Sequence, residues 1–288
     1  MPSLKEFDVK LASLKNTRKM TKTMQMVSAS KLRRAQEAQK NASRFAGRIQ
    51  ALTSKLAASI ESASHPLLTR RQPVRNVLII VFSSDKGLCA GFNNNLSKFV
   101  STWIDEHPSQ FGAIDLSFCG RRGFSFFKNR ASIKDHYEDV TNKPDFGSAY
   151  KIAQDITALF LENNYDEIYI AYNVFKNALT QTPTLKQILP VEPQIIEGGT
   201  ALSHSYIFEP TAKEILEDLL PKSVTFQLHY TLLENAAGEH GARMTAMDNA
   251  TNNANKMIDH YTLLRNRARQ AAITTEMIEI VSGAEALR

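Results

Sequence analysis

The chain is short of the residues that staple, break or cross. Two cysteines in 288 residues, Cys89 and Cys119, exclude a disulfide-stapled secreted scaffold and point to a reducing compartment. The longest unbroken apolar run, Val77 to Phe82, is far too short to cross a bilayer as a helix. The amino terminus, MPSLKEFDVK, has no apolar signal core, so neither a secretory leader nor direct membrane insertion is expected. Helix breakers are scarce at the start of the chain. From Ser3 to Ser62 there is no proline and one glycine, Gly47, which leaves nothing to interrupt a long helix.

The chemistry-bearing patterns are also missing. Neither G-x-G-x-x-G nor G-x-x-x-x-G-K-[ST] occurs, so no glycine loop cradles a pyrophosphate and no loop lysine reaches a terminal phosphate. The seven histidines include no H-x-x-x-H pair, and His229, His240 and His260 read as helix-surface residues rather than metal ligands. There is no G-x-S-x-G elbow, and Cys89 has no sequence-adjacent histidine to activate it. These absences leave no catalytic residue, no cofactor site and no metal site to nominate. Two weaker patterns remain. SSDKGLCAGFNNN, with Gly87 and Gly91, reads as a turn and helix cap after a strand. RGFSFFKN, Arg122 to Asn129, departs from the aromatic RNA-stacking strand at Ser125 and Asn129 and fits a core-facing helix start.

What is present divides by periodicity into three parts, residues 1–62, 76–205 and 209–288. The first is rich in Ala, Lys, Leu, Gln and Arg, all good helix formers. At about 1.5 Å per residue it would reach roughly 85 Å, which demands a partner helix. Leu4, Phe7, Leu11, Leu14, Leu32, Ala35, Ala42, Ile49, Leu56 and Ile60 fall on one heptad register. Between Leu14 and Leu32 the register holds Arg18, Thr21, Gln25 and Ser28, while Met20, Met24 and Val27 sit on another face. That face is expected to meet something other than the partner helix.

The partner lies at the far end, from Thr211 to Ala286, with Leu228, Leu232, Met244, Met247, Ala254, Ile258, Tyr261, Leu264, Ala271 and Ile278 at helical spacing. Pro221 is expected to kink or restart it. The middle third alternates strand and helix patterns. Strands are expected at 77–82, 114–119, 133–137 and 167–172, helices near 94–106 and 147–163, and an edge hairpin around Leu185 to Leu189. The fold class is therefore α/β: a long antiparallel coiled coil of the terminal helices with an inserted small Rossmann-like domain.

Charge is uneven. Residues 1–60 hold eight lysines and five arginines against Glu6, Asp8 and Glu37, a net +10, which leaves −4 for the remainder. Such a stripe seeks an anionic partner, and a basic coiled-coil nucleic-acid binder is the competing reading.

Four blocks resemble a known family. ITTEMIEIVSGAEA (Ile273 to Ala286), NTRKMTKTMQMVSASKLRRAQ (Asn16 to Gln36), SDKGLCAGFNNN (Ser84 to Asn95) and ARMTAMDNATNNA (Ala242 to Ala254) are similar to the gamma subunits of F-type ATP synthases, in family order along nearly the whole chain. Ala90 stands where the family pattern has a second glycine. The resemblance implies a non-catalytic rotor shaft. Its terminal helices would stand inside a hexameric ring of alpha and beta subunits, beside an epsilon subunit and a membrane c-ring, with no nucleic acid bound. It would sit peripherally on the cytoplasmic face of a bacterial inner membrane. Met24, Lys31, Arg33, Arg34, Arg269, Gln270, Thr274 and Glu276 are the implied contacts to the alpha/beta ring, and Tyr206 and Glu209 those to the membrane ring. Cys89 and Cys119, 30 residues apart in different elements, are not expected to form a thiol switch.

Overall fold

Val77 to Phe82, the run singled out for its apolarity, is buried on both faces, as the central strand of a parallel sheet must be. The computed structural model describes residues 4–59, 65–107, 110–191 and 211–286. In chain order the elements are α1 (Leu4–Ser59), β1 (Asn76–Phe82), α2 (Phe92–Glu106), β2 (Ala113–Cys119), α3 (Arg121–Phe127), β3 (Ser132–Tyr137), α4 (Phe146–Leu161), β4 (Glu167–Phe175), β5 (Gln181–Leu189) and α5 (Ala212–Ala286). The chain divides into two units, Ala29–Arg243 and Met1–Ser28 with Met244–Arg288.

The first unit is built on a five-stranded sheet of order β3-β2-β1-β4-β5. β1, β2, β3 and β4 run parallel, and β5 returns antiparallel to β4 as the expected edge hairpin. Successive β1 side chains point to opposite faces. Val77, Ile79 and Val81 join Leu96 and Val100 of α2 and Phe127 of α3. Leu78, Ile80 and Phe82 join Ile152, Ile156 and Phe160 of α4 and Leu216, Leu220, Val224, Leu228 and Leu232 of α5. RGFSFFKN thus supplies α3 and its core-facing Phe127, not a stacking strand. α4 starts at an Asp145 cap whose carboxylate accepts the Ser148 N–H at 2.7 Å.

Pro221, expected to kink or restart the helix, lies inside α5, which runs on through it without a restart. Leu216 and Leu220 before it and Val224 and Leu228 after it are at most 1% exposed on the same core. Their burial outweighs the one backbone bond that proline removes. α1 lies alongside α5 within this unit too, with Phe45 edge-on to Phe226 at 4.6 Å and Leu56 in the sheet core.

The second unit is an antiparallel helix pair. Phe7 meets Tyr261 with ring centroids 6.5 Å apart, Leu11 and Leu14 pack with Ile258, Thr21 shares a 2.8 Å hydrogen bond with Thr251, and Gln25 donates to Asp248 at 2.7 Å. Partner numbers fall as α1 numbers rise, which fixes the direction. Of the polar heptad positions Thr21 and Ser28 are buried, at 8% and 3% exposed, Gln25 is half-buried and Arg18 exposed, whereas Met20 and Val27 are 65% and 50% exposed. The seam stops earlier than expected. Asp8 reaches Arg265 at 3.5 Å, and beyond that level Ala271 and Ile278 are exposed, because α1 supplies no further turns to cover them.

The glycines offer a stability test. A methyl group at Gly47, inside α1, would meet no atom within 4 Å, whereas at Gly120, φ +102°, it would lie 2.7 Å from the Ser83 carbonyl oxygen. Urea denaturation should show Gly47→Ala more stable than the parent by about 0.5 to 1 kcal/mol, the ordinary helix gain. Gly120→Ala should be less stable by about 2 kcal/mol. The reverse order would mean these backbone environments are misassigned.

Candidate functional site

In a doubly wound sheet, ligands bind beyond the carboxyl ends of the strands where the strand order reverses. Here that place is the end of β1, with β2 and β3 on one side and β4 on the other. The loop leaving β1 is tied down by its own polar groups. Ser83 Oγ donates to the Gly120 carbonyl at 3.1 Å and accepts the Gly123 N–H at 2.9 Å. Asn93 Oδ1 accepts the Ser84 N–H at 2.9 Å. The Asp85 carboxylate accepts the Arg121 N–H and the Thr141 hydroxyl, at 3.1 and 2.8 Å. Leu88 and Ala90 both lie at positive φ, 62° and 49°, so the family's glycine at position 90 has a conformational reason.

The crevice itself is filled by α5. Asn235, fully buried, donates to the Ser83 carbonyl at 3.3 Å. Gly238 lies so close to the Phe92 ring that a Cβ would be 3.0 Å from it. One turn on, Arg243 donates to the carbonyls of Lys86 and Gly87, each at 3.2 Å, and makes a very short ion pair with Glu239. Both partners are under a tenth exposed. Burial raises the Glu239 carboxyl above its ordinary value, with Arg243 acting against that rise. The side chains of α5 therefore stand where a dinucleotide would lie in a ligand-binding relative of this sheet.

Sequence reasoning overlooked this cluster, although Arg243 stood in a quoted block. Its signal was the Glu239-x-x-x-Arg243 spacing amid alanine and glycine, which puts a charged pair on a close-packed face. His240 was misread as a surface residue. It is half-buried and its pKa is pushed down to about 4, first by burial, then by Arg243, Lys31 and Lys86. Its Nδ1 lies 3.4 Å from an Arg243 guanidinium nitrogen, and a guanidinium only donates, so Nδ1 is the acceptor of a neutral ring. His229 is likewise half-buried, with burial the main cause of its lowered pKa. Both cysteines are free and buried, and burial raises both thiols, which keeps them poorly reactive.

The residues expected to contact other subunits fall in three places. Lys31 is exposed and acts electrostatically on Glu239 and His240; Arg33 and Arg34 are exposed beside it, Arg33 pairing with Glu37 at 3.6 Å. Met24 is half-buried in the helix pair, whose groove lined by Lys15, Arg18, Lys19, Lys22 and Met26 does not include it. Arg269, Gln270, Thr274 and Glu276 are exposed past the end of the seam, Thr274 donating to the Gln270 carbonyl at 2.9 Å. Tyr206 and Glu209 lie outside the described residues.

The cation cluster gives a pH test. His240 titrates near 6.5 when unfolded and about 4 when folded, so the unfolded chain takes up the proton first as pH falls. Stability should drop between pH 6.5 and pH 4 relative to a His240→Gln variant, and the two curves should run parallel above and below that window. A constant difference at all pH values would show that His240 is not held neutral.

Comparison with known proteins agrees with this geometry. The ATP synthase family model matches residues 3–287. ATP synthase gamma chains of Geobacter sp. (strain M21) and Pelotomaculum thermopropionicum are 44% and 42% identical over 288 residues, each covering 100% of both chains. That of Bdellovibrio bacteriovorus is 40% identical over 295 residues, also at full coverage of both. Among solved structures, a Euglena gracilis mitochondrial ATP synthase rotor chain superposes with TM-score 0.63 at 17% identity, covering 94% of this chain and 98% of that one. A Tetrahymena thermophila central stalk/c-ring chain gives 0.58 at 23%, covering 80% and 99%. The chain belongs to the family of ATP synthase gamma chains.

Proposed function

We propose that this gamma chain works as the non-catalytic central rotor of an F-type ATP synthase. It couples proton-driven rotation to conformational change at catalytic sites in a surrounding alpha/beta ring. The observation that carries the reading is the end of α5. Every described side chain from Arg269 to Ala284 is exposed, Ile273, Met277, Ile278, Ile280 and Val281 among them at 50% to 67%. A helix this apolar and this bare is stable in place only when another surface surrounds it. Among the described residues no helix is long and apolar enough to cross a membrane, so a protein sleeve is the natural environment. The occupied crevice at the end of β1 supports the non-catalytic assignment.

In this reading the chemistry belongs to the ring and the shaft supplies asymmetry. A helix pair with exposed Met20 and Val27 on one side and Lys15, Lys19, Lys22 and Met26 lining a groove beside the seam presents a different surface to each neighbour. Turning it favours different conformations of the surrounding subunits in sequence. Met24, Lys31, Arg33, Arg34, Arg269, Gln270, Thr274 and Glu276 face the ring. Tyr206 and Glu209 face the c-ring at the foot, beside an epsilon subunit, on the cytoplasmic side of a bacterial inner membrane.

The contacts should separate by chemistry. Arg269 offers a bidentate guanidinium that lysine cannot reproduce, whereas Lys31, Arg33 and Arg34 need supply only positive charge to a sliding surface. In complexes reconstituted with alpha and beta subunits, Arg33→Lys and Arg34→Lys should hydrolyse ATP within about twofold of the parent, and Arg269→Lys should be slower by roughly five- to tenfold. Slow Arg33 and Arg34 variants beside an unimpaired Arg269→Lys would reverse the assignment. At the foot, Glu209→Lys should weaken ATP-driven proton pumping in membranes and leave hydrolysis by the detached soluble complex unchanged. Equal loss of both would remove the foot-specific role.

A further inference from the structure

Away from the crevice, α1, β5 and α5 enclose a second space within the sheet-bearing unit. Its volume is about 210 Å³, and its walls include Ser43, Gly47 and Gln50 of α1, Lys186 of β5, and Gln227 and Tyr230 of α5. Gly47 lines it without a side chain, and a Cβ there would meet nothing within 4 Å. The lining is made almost wholly of groups that can donate hydrogen bonds, with no carboxylate among them.

Lys186 is the unusual member. It pairs with Ile170 across the β4–β5 ladder, and Ile170 belongs to the core shared with α4 and α5, so Lys186 projects from the apolar face of the sheet. It is half-buried, and among the described residues its ammonium has neither an ion pair nor a hydrogen bond. The carboxylate it feels, Glu234, is engaged elsewhere: one oxygen accepts the Phe175 N–H at 3.3 Å, and the group also bonds the Tyr230 hydroxyl. A desolvated ammonium without a partner is costly, and the core position would have accepted an aliphatic residue. Burial accordingly lowers the Lys186 pKa, and an anion beside it would offset that.

We propose that this cleft binds a small tetrahedral oxyanion of the phosphate class, with Lys186 as its charge partner and the Ser43 hydroxyl and the Gln50 and Gln227 amides as hydrogen-bond donors. The site is separate from the ring contacts and from the crevice at β1. It gives a chain without a catalytic site of its own a means of responding to the phosphate concentration around it.

The test uses the purified full-length chain and inorganic phosphate, with thermal unfolding followed at constant ionic strength against chloride. Phosphate should raise the unfolding midpoint saturably by a few degrees, acetate should raise it less, and Lys186→Gln should abolish the response. Because that variant also alters a buried charge, Gly47→Leu provides an independent arm: it leaves the Lys186 ammonium in place and starts from a position where a Cβ meets nothing within 4 Å, and it should remove the phosphate response from a chain that still folds. No saturable rise in the parent, or the same rise in the parent and in both variants, would overturn the proposal.

Discussion

One face of α5 organises the sheet-bearing unit. From Leu216 to Leu232 it presents an aliphatic stripe to the sheet, four residues apart and at most 1% exposed. Burying five such side chains contributes roughly 1.5 to 3 kcal/mol each, which explains why a proline is carried in the middle of the stripe. Past Leu232 the same face changes character. Asn235, Glu239 and Arg243 enter the loop after β1, and Gly238 allows the helix close enough for them to reach it. Without the aliphatic stripe the polar contacts would have no fixed geometry, and an unpaired Arg243 or Glu239 would be expensive to bury.

The crevice at the switch point shows how a fold and its usual function separate. Strand order, parallel pairing and the glycine-bearing loop after β1 are those of a nucleotide-binding sheet, yet the space is occupied by the chain's own carboxy-terminal helix. The occupying groups are buried, and Arg243 bridges two loop carbonyls and a carboxylate. Fold and function are separable in this way because a site is grafted onto a common architecture.

The helix pair of the other unit carries a different compromise. Its middle is sealed by hydroxyl and amide contacts, Thr21 to Thr251 and Gln25 to Asp248, where leucines would bind more tightly. Buried polar pairs of this kind contribute little net stability and favour one register over its neighbours, because a slip of one turn would leave them unsatisfied. The large apolar side chains of the same stretch, Met20, Met26 and Val27, are left outside, available to whatever surrounds the pair.

Much of this was legible in the residues. A Pro-free, nearly Gly-free opening of helix formers, a fully apolar run bounded by turn residues, and the run Leu185 to Leu189 depend on local backbone preference and periodicity; β1 formed within a residue of expectation, α1 is helical over Leu4–Ser59, and β4 and β5 are longer than expected. Four blocks in order identified the family. What the residues could not say was what stands opposite each face. Helical spacing groups Ala271 and Ile278 with Ile258, yet among the described residues Ile258 packs with Leu11 and Leu14 while Ala271 and Ile278 are exposed. It places His240 on an exposed-looking arc, yet Arg243, Lys31 and Lys86 converge there from three elements. Pro221 breaks a helix by local rules and is retained by burial on both sides. Local sequence determined which residues share a face, and only tertiary packing decided which faces were covered, since burial and charge depend on neighbours distant in the chain.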